Sequence, residues 1–350
     1  MRYKLLGKSG LRVSELCLGT MTFGEDWGWG ASFDECKNIY ETFRSQGGNF
    51  LDTANIYTNG TSEKYVGELI ASEREAIVVA TKYSNGMPTG DPNGAGNHRK
   101  RMIQSVEASL KRLKTDYIDV LWVHSWDFTT PPEEVMRSFD DLVRQGKILY
   151  IGISDAPAWV VAQCNTIADL RGWTPFVGLQ IEYSLIQRTV ERELLPMARS
   201  LDIGVTAWSP LANGWLTGKY TKNSGSDESK RLDNEGMSAF VQQTDRNHQI
   251  AHAVDEVAQA IGCSSAQVAL AWLLHQNTIP IVGARKAAQV KDNLDCVNVK
   301  LSAEQLDQLD RVSAIELGFP HDFFNQEMPQ QFIFGGQFQQ IDNHRYTQIR

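Results

Sequence analysis

Glycine-rich nucleotide signatures are missing from this chain. No G-x-G-x-x-G opens a helix after a strand, and no G-x-x-x-x-G-K-[ST] occurs, so neither common phosphate-cradling loop applies. Cysteine is scarce. Cys17, Cys36, Cys164, Cys263 and Cys296 are odd in number, widely spaced and without a C-x-x-C pair. They exclude a disulfide framework and read as reduced thiols, so a cytoplasmic setting is expected. His and Cys never cluster at ligand spacing, so no metal site is expected. No apolar run approaches the ~20 residues of a membrane span, and MRYKLLGKSGLRV has no uninterrupted apolar stretch of the kind a secretory leader carries. Basic residues are in deficit, 34 Lys plus Arg against 42 Asp plus Glu, giving a formal charge of −8. That balance argues against nucleic acid or an anionic membrane as the main partner.

What remains is an ordinary globular composition, 42% hydrophobic and 22% charged over 350 residues. Short apolar segments rich in β-formers recur at Leu16–Gly19, Asn49–Asp52, Ile77–Lys82, Tyr117–His124, Ile148–Ser154, Phe176–Gln180, Ile203–Trp208 and Thr278–Val282. Runs such as VLWV and ILYIGI are nearly all apolar, as suits parallel strands covered on both faces. Between them lie stretches of helical period. Ser32 with Glu35 predicts a capping box ahead of Cys36, Ile39, Tyr40 and Phe43. Met102, Val106, Leu110 and Leu113 share one helix face, and Pro131-Pro132 open a helix closed near Gly146.

Most strand starts are spaced by roughly 27 to 40 residues, the length of a βα unit. Eight such units predict a (β/α)8 TIM barrel, a single domain over residues 1–312. The last interval is longer and holds the polar stretch TKNSGSDESKR, read as a long functional surface loop. Residues 3–16 alternate around Gly7 and Gly10, predicting an N-terminal hairpin that plugs the barrel bottom. Residues 313–350 form a C-terminal extension rich in Gln and Phe, read as a lid, an oligomer interface or a partly disordered tail.

Catalytic groups in such a barrel come from the C-terminal ends of the strands. Those ends carry Asp52 with Thr53 and Tyr57 just beyond, Lys82, His124, Ser154-Asp155, Gln180 and Trp208-Ser209. Singly, each has a plainer reading: Lys82 as a solvated strand end, His124 as a hydrogen-bonded core residue, Asp52 as a turn cap. Together, titratable groups on neighbouring strand ends are costly to bury unless they pair.

The stretches FLDTANIY, VVATK, DVLWVH, GLQIEYSL, WSPLANGWLTGKY and IVGARKAAQVKDNL resemble an aldo-keto reductase, from about Gly7 to about Leu309. Within that superfamily the chain is most similar to the aryl-alcohol-dehydrogenase-like branch and, more distantly, to potassium-channel β-subunits. The resemblance implies a barrel that binds NADP(H) without a Rossmann fold, and a catalytic tetrad of Asp52, Tyr57, Lys82 and His124. A phenol is a poor acid at neutral pH, and a neighbouring ammonium is expected to lower its pKa. Lys82 supplies that charge, Asp52 keeps it in place, and His124 orients the carbonyl oxygen.

The resemblance also assigns the cofactor pocket. Thr20 and Met21 line the nicotinamide ribose, Ser154, Asp155 and Gln180 hold the carboxamide, and Trp208 stacks on the ring. Ser209, Pro210, Leu211, Gly214, Gly218 and Lys219 resemble a pyrophosphate loop, over which Arg231 closes. Gly283, Arg285, Gln289, Asp292 and Asn293 match the adenosine pocket. A guanidinium near the adenine ribose suits a 2′-phosphate, so Arg285 favours NADP(H) over NAD(H). Asp155 stands where many relatives carry Asn, and an ionised Asp cannot donate to the carboxamide oxygen.

Trp27, Trp29, Tyr83, Trp126 and Phe128 fall in loops near these strand ends and predict an aromatic pocket for a small-molecule carbonyl or alcohol substrate. His98-Arg99-Lys100-Arg101 reads as a solvated helix start, or as a contact to a partner subunit, such as another copy in a homo-oligomer, or to a substrate carboxylate. Reversible carbonyl reduction leads. A cofactor-binding regulatory protein of the channel β-subunit kind and a Schiff-base aldolase using Lys82 are the competing readings.

Overall fold

A computed structural model describes residues 1–219 and 244–342. The stretch TKNSGSDESKR, with Arg231, lies outside the described residues, as does 343–350. Eight parallel strands close into a barrel: β3 (Cys17–Gly19), β4 (Phe50–Asp52), β5 (Val78–Tyr83), β6 (Ile118–Val123), β7 (Ile148–Ser154), β8 (Phe176–Glu182), β9 (Gly204–Trp208) and β10 (Ile279–Gly283), with β10 pairing to β3. Helices lie between consecutive strands and cover the outside, making this a (β/α)8 barrel. All eight predicted strands are present, within two residues at each end.

The predicted hairpin is β1 (Tyr3–Leu5) with β2 (Arg12–Ser14), antiparallel. Leu6 at its turn is fully buried with Val13, Cys17, Phe50, Val120 and Trp122 in the barrel interior. The interior is therefore filled rather than hollow. Trp122 fits there because its register partner on β7, Gly152, and Gly178 on β8 carry no side chain: a Cβ at Gly152 would lie 2.3 Å from its ring, and one at Gly178 2.6 Å. A second, larger apolar layer lies between the strands and the helices, where Met102, Val106, Phe139 and Leu142 are buried. The two layers together hold the strand ends rigid, the condition for a precise site.

The expected capping box at residue 32 is not formed. Ser32 occupies the N-cap of Phe33–Ser45 without a side-chain bond. Glu35 instead accepts the backbone N–H of Ala287 at 2.7 Å, capping the adjacent helix Ala287–Leu294 across the seam where β10 pairs with β3. The first helical turn satisfies that distant donor at the cost of its own. Beyond Val312 the chain runs through the short helices His321–Phe324 and Glu327–Ile333. Glu316 O accepts from the Arg192 guanidinium at 2.7 Å, tying this segment to the loop after β8.

Candidate active site

Four side chains from three neighbouring strand ends meet at the C-terminal rim. Asp52 closes β4, Lys82 lies near the end of β5, His124 follows β6, and Tyr57 stands in the short turn after β4. The Lys82 ammonium is 1% exposed and spends its donors on Asp52 Oδ2, on Thr53 O at 2.9 Å and on Tyr57 Oη at 3.2 Å. The second Asp52 oxygen accepts from Gln180 Nε2 at 2.9 Å. The Tyr57 and His124 rings stand edge to face with centroids 5.9 Å apart.

The electrostatics follow from burial and pairing. Burial alone would lower the pKa of Lys82, but Asp52 and Tyr57 outweigh it and hold the ammonium above its ordinary value. Burial pushes the Tyr57 phenol above its ordinary value, with Lys82 opposing. The expected lowering by Lys82 is thus present but exceeded by desolvation, and the resting phenol keeps its proton. His124 is pushed down to about 3, by burial first and by the Lys82 charge second, so its ring is neutral. Its Nδ1 is buried without a hydrogen-bond partner among the described residues.

A loop network fixes these groups together. Asn85, three residues beyond Lys82, accepts on its backbone oxygen from Asn55 Nδ2 at 3.1 Å, and on its side-chain oxygen from Ser125 Oγ at 2.7 Å. Asn55 lies two residues before Tyr57, and Ser125 follows His124. One residue therefore joins the loops of three strands. Sequence reasoning did not single out Asn55, Asn85 or Ser125; the only signal was the turn dipeptide Asn85-Gly86 beside a strand end.

The residues assigned to a cofactor lie around the same rim. Thr20 is buried, and its hydroxyl donates to Asp52 O at 3.0 Å, with half-buried Met21 next to it. Ser154 ends β7 buried, while Asp155 takes a left-handed backbone and accepts from Trp208 Nε1 at 3.0 Å. The carboxylate at 155 thus has a donor in the indole, and burial raises its pKa first. Beyond Trp208, Ser209, Ala212, Asn213, Gly214 and Gly218 all have positive φ, with Pro210 and Leu211 among them. Such successive left-handed residues turn backbone N–H groups to one side, a cradle for anions. Within it, a Cβ at Gly214 meets nothing within 4 Å, and Asn213 Nδ2 is a buried donor without a partner among the described residues. Lys219 closes the described part of this loop.

At the neighbouring strand end, that of β10, Gly283 is exposed and Gln289 accepts from the Arg285 backbone N–H at 2.9 Å. The half-buried Arg285 guanidinium makes no ion pair among the described residues. Asp292 is taken up by Ser264 and Gln267 at the start of a neighbouring helix, and Asn293 is buried. The left-handed loop, the orphaned amide and the unpaired guanidinium together suit a phosphate-bearing dinucleotide.

The aromatic positions separate. Trp27 and Trp29 lie in tilted contact with ring centroids 5.7 Å apart, and Trp27 Nε1 reaches Asn59 Oδ1 at 3.4 Å, beside the Tyr57 turn. Trp126 is 8% exposed and packs mainly into the outer core, and Phe128 is 68% exposed. Tyr83 is fully buried against Phe139, its hydroxyl donating to Asn97 O, so it does not line the pocket. As Lys82, the penultimate residue of β5, points inward, alternation sends Tyr83 to the outer layer.

Comparison with known proteins agrees with this fold. The model of the aldo/keto reductase family matches residues 15–314. The chain is 39% identical to a norsolorinic acid reductase of Aspergillus flavus, covering 91% of this chain and 82% of that protein. It is 36% identical to an aryl-alcohol dehydrogenase [NADP(+)] of Phanerodontia chrysosporium, covering 90% and 86%. It is also 36% identical to an aldo-keto reductase of Emericella nidulans, covering 92% and 84%. With a closed barrel of eight parallel strands and a family match over residues 15–314, the chain belongs to the aldo/keto reductase family.

Proposed function

We propose that the protein is a reversible NADPH-dependent carbonyl reductase acting on aldehydes and ketones with aromatic or bulky substituents. The observation that carries this reading is the Lys82 ammonium held between Asp52 and the Tyr57 hydroxyl at the catalytic rim. A bound reduced nicotinamide supplies the hydride. Ser154, Asp155 and Gln180 would hold its carboxamide, with Trp208 beside the ring and Thr20 and Met21 at the ribose. Ser209 to Lys219 would hold the pyrophosphate, and Gly283 to Asn293 the adenosine end.

The chain's own residues manage the charge that develops on the carbonyl oxygen. Neutral His124 donates a hydrogen bond from Nε2 and orients that oxygen. Tyr57 Oη gives it a proton, so the alcohol forms and a phenolate remains next to the Lys82 ammonium. Lys82 thus stabilises the product of the proton transfer rather than the resting phenol, a difference between states that accelerates the step. In the alcohol-oxidising direction the same phenolate takes the proton back. A lysine held so firmly protonated is a poor amine nucleophile, which speaks against the Schiff-base reading.

The five separate cysteines support a reducing, cytoplasmic setting for this chemistry. NADPH oxidation in the presence of a reactive aryl aldehyde tests the reading. Turnover supports the reductase. Tight NADPH binding with no turnover on any carbonyl would favour the regulatory alternative.

A further inference from the structure

The basic cluster at the start of the helix Arg99–Leu113 does not act as one patch. His98 caps that helix, accepting the Arg101 backbone N–H on Nδ1 at 3.2 Å. Arg99 pairs with Asp141 at 2.8 Å, and Lys100 is exposed. Arg101 alone turns inward. Its Nη2 donates to Asn85 O at 2.9 Å, its Nε is buried without an acceptor, and no carboxylate among the described residues lies within ion-pair distance. Desolvation is the largest influence on this guanidinium, and the Arg112 charge adds to it.

Arg101 lines a cavity of about 560 Å3 together with Asn55, Ile56, Met87, Thr89 and Asp91. That size suits a substituted aromatic molecule. Asn55 and Ile56 immediately precede Tyr57, and Asn85, which holds Arg101, also holds Asn55 and Ser125 next to His124. The cavity is therefore the neighbour of the reacting groups, and the guanidinium is anchored to the same loop network. Asp91 is the opposing charge: it is exposed, and its Oδ1 accepts the Asn93 backbone N–H at 2.9 Å rather than reaching Arg101.

We propose that Arg101 is a specificity-determining residue for carbonyl substrates that carry a carboxylate at the end remote from the reacting carbonyl. A half-buried guanidinium with one neutral acceptor gains more from an entering carboxylate than an exposed one does, because water competes less. The placing of the carbonyl rests on the reductase reading above; the anion subsite rests on the cavity itself.

The test compares para-formylbenzoate with its methyl ester, taking the ratio of their kcat/KM values so that general losses cancel. Wild type favours the carboxylate. In Arg101→Leu the ratio falls roughly ten- to hundredfold, mainly through KM, while Arg101→Lys keeps part of it. Asp91→Asn raises the ratio. An unchanged ratio in Arg101→Leu overturns the proposal while leaving the reductase standing. If neither aldehyde is reduced, calorimetric titration with para-(hydroxymethyl)benzoate decides the subsite separately. Binding lost in Arg101→Leu supports it, whereas equal binding in the two proteins, or none in wild type, overturns it.

Discussion

Gln180 Nε2 donates to Asp52 Oδ1 at 2.9 Å, from a strand end on the far side of the barrel mouth. The residues are 128 positions apart, and the bond completes the shell of a carboxylate that is 2% exposed. A glutamine assigned to the cofactor carboxamide therefore also orients the acid that holds Lys82. A substitution at Gln180 therefore acts directly on the carboxylate that holds Lys82.

The buried Asp52–Lys82 pair makes the first prediction. Lys82→Met leaves Asp52 as a buried charge with Gln180 as its remaining side-chain donor, at an expected cost of about 3–5 kcal/mol. Asp52→Asn strands the ammonium and costs a similar amount. In urea unfolding the double variant should lose much less than the sum of the two, because no lone charge remains. Additive losses would mean that the pair is not the unit of stability described here.

A second prediction concerns pH. His124 sits at about 3 against an ordinary value of 6.5, so between those values the unfolded chain binds a proton that the folded state refuses. The stability this group confers is fully present above 6.5 and is lost progressively as pH falls toward 3. Because the ring is already neutral, kcat/KM should show no acidic limb centred near 6.5. A limb there would show that His124 titrates in the free enzyme.

Cofactor choice gives a third. The Arg285 guanidinium has no carboxylate partner among the described residues and follows the end of β10. Arg285→Ala should weaken NADPH binding by roughly ten- to hundredfold and NADH binding far less, as measured by fluorescence titration. Equal losses would remove Arg285 from the 2′-phosphate.

Much of this architecture is legible in the sequence because it is local. The strands read as apolar runs such as Ile118–Val123 because both faces are covered, one by Trp122 and its interior neighbours and the other by helices. Asp52, Lys82 and His124 stand out as polar residues at the ends of apolar runs, whereas singling them out together with Tyr57 took the family resemblance. What escaped is long-range. Glu35 carries a local capping signal yet bonds Ala287, 252 residues away, because that helix start lacks a side-chain cap of its own. Tyr83 follows Lys82 directly, and only strand alternation separates core from site. Arg101 differs from Arg99 by two positions on a helix, about half a turn, which turns one toward the cavity and leaves the other on the surface. Asn85 has no motif at all; its role comes from three loops converging.

The most direct test of the account is carbonyl reduction by Tyr57→Phe beside wild type, with NADPH affinity measured on both. The account predicts that turnover of an aryl aldehyde falls by about a hundredfold or more while NADPH affinity changes little, since the phenol supplies the proton and not the cofactor pocket. Turnover that survives the loss of the hydroxyl would contradict the assignment of Tyr57, and with it the role given to Lys82 and Asp52.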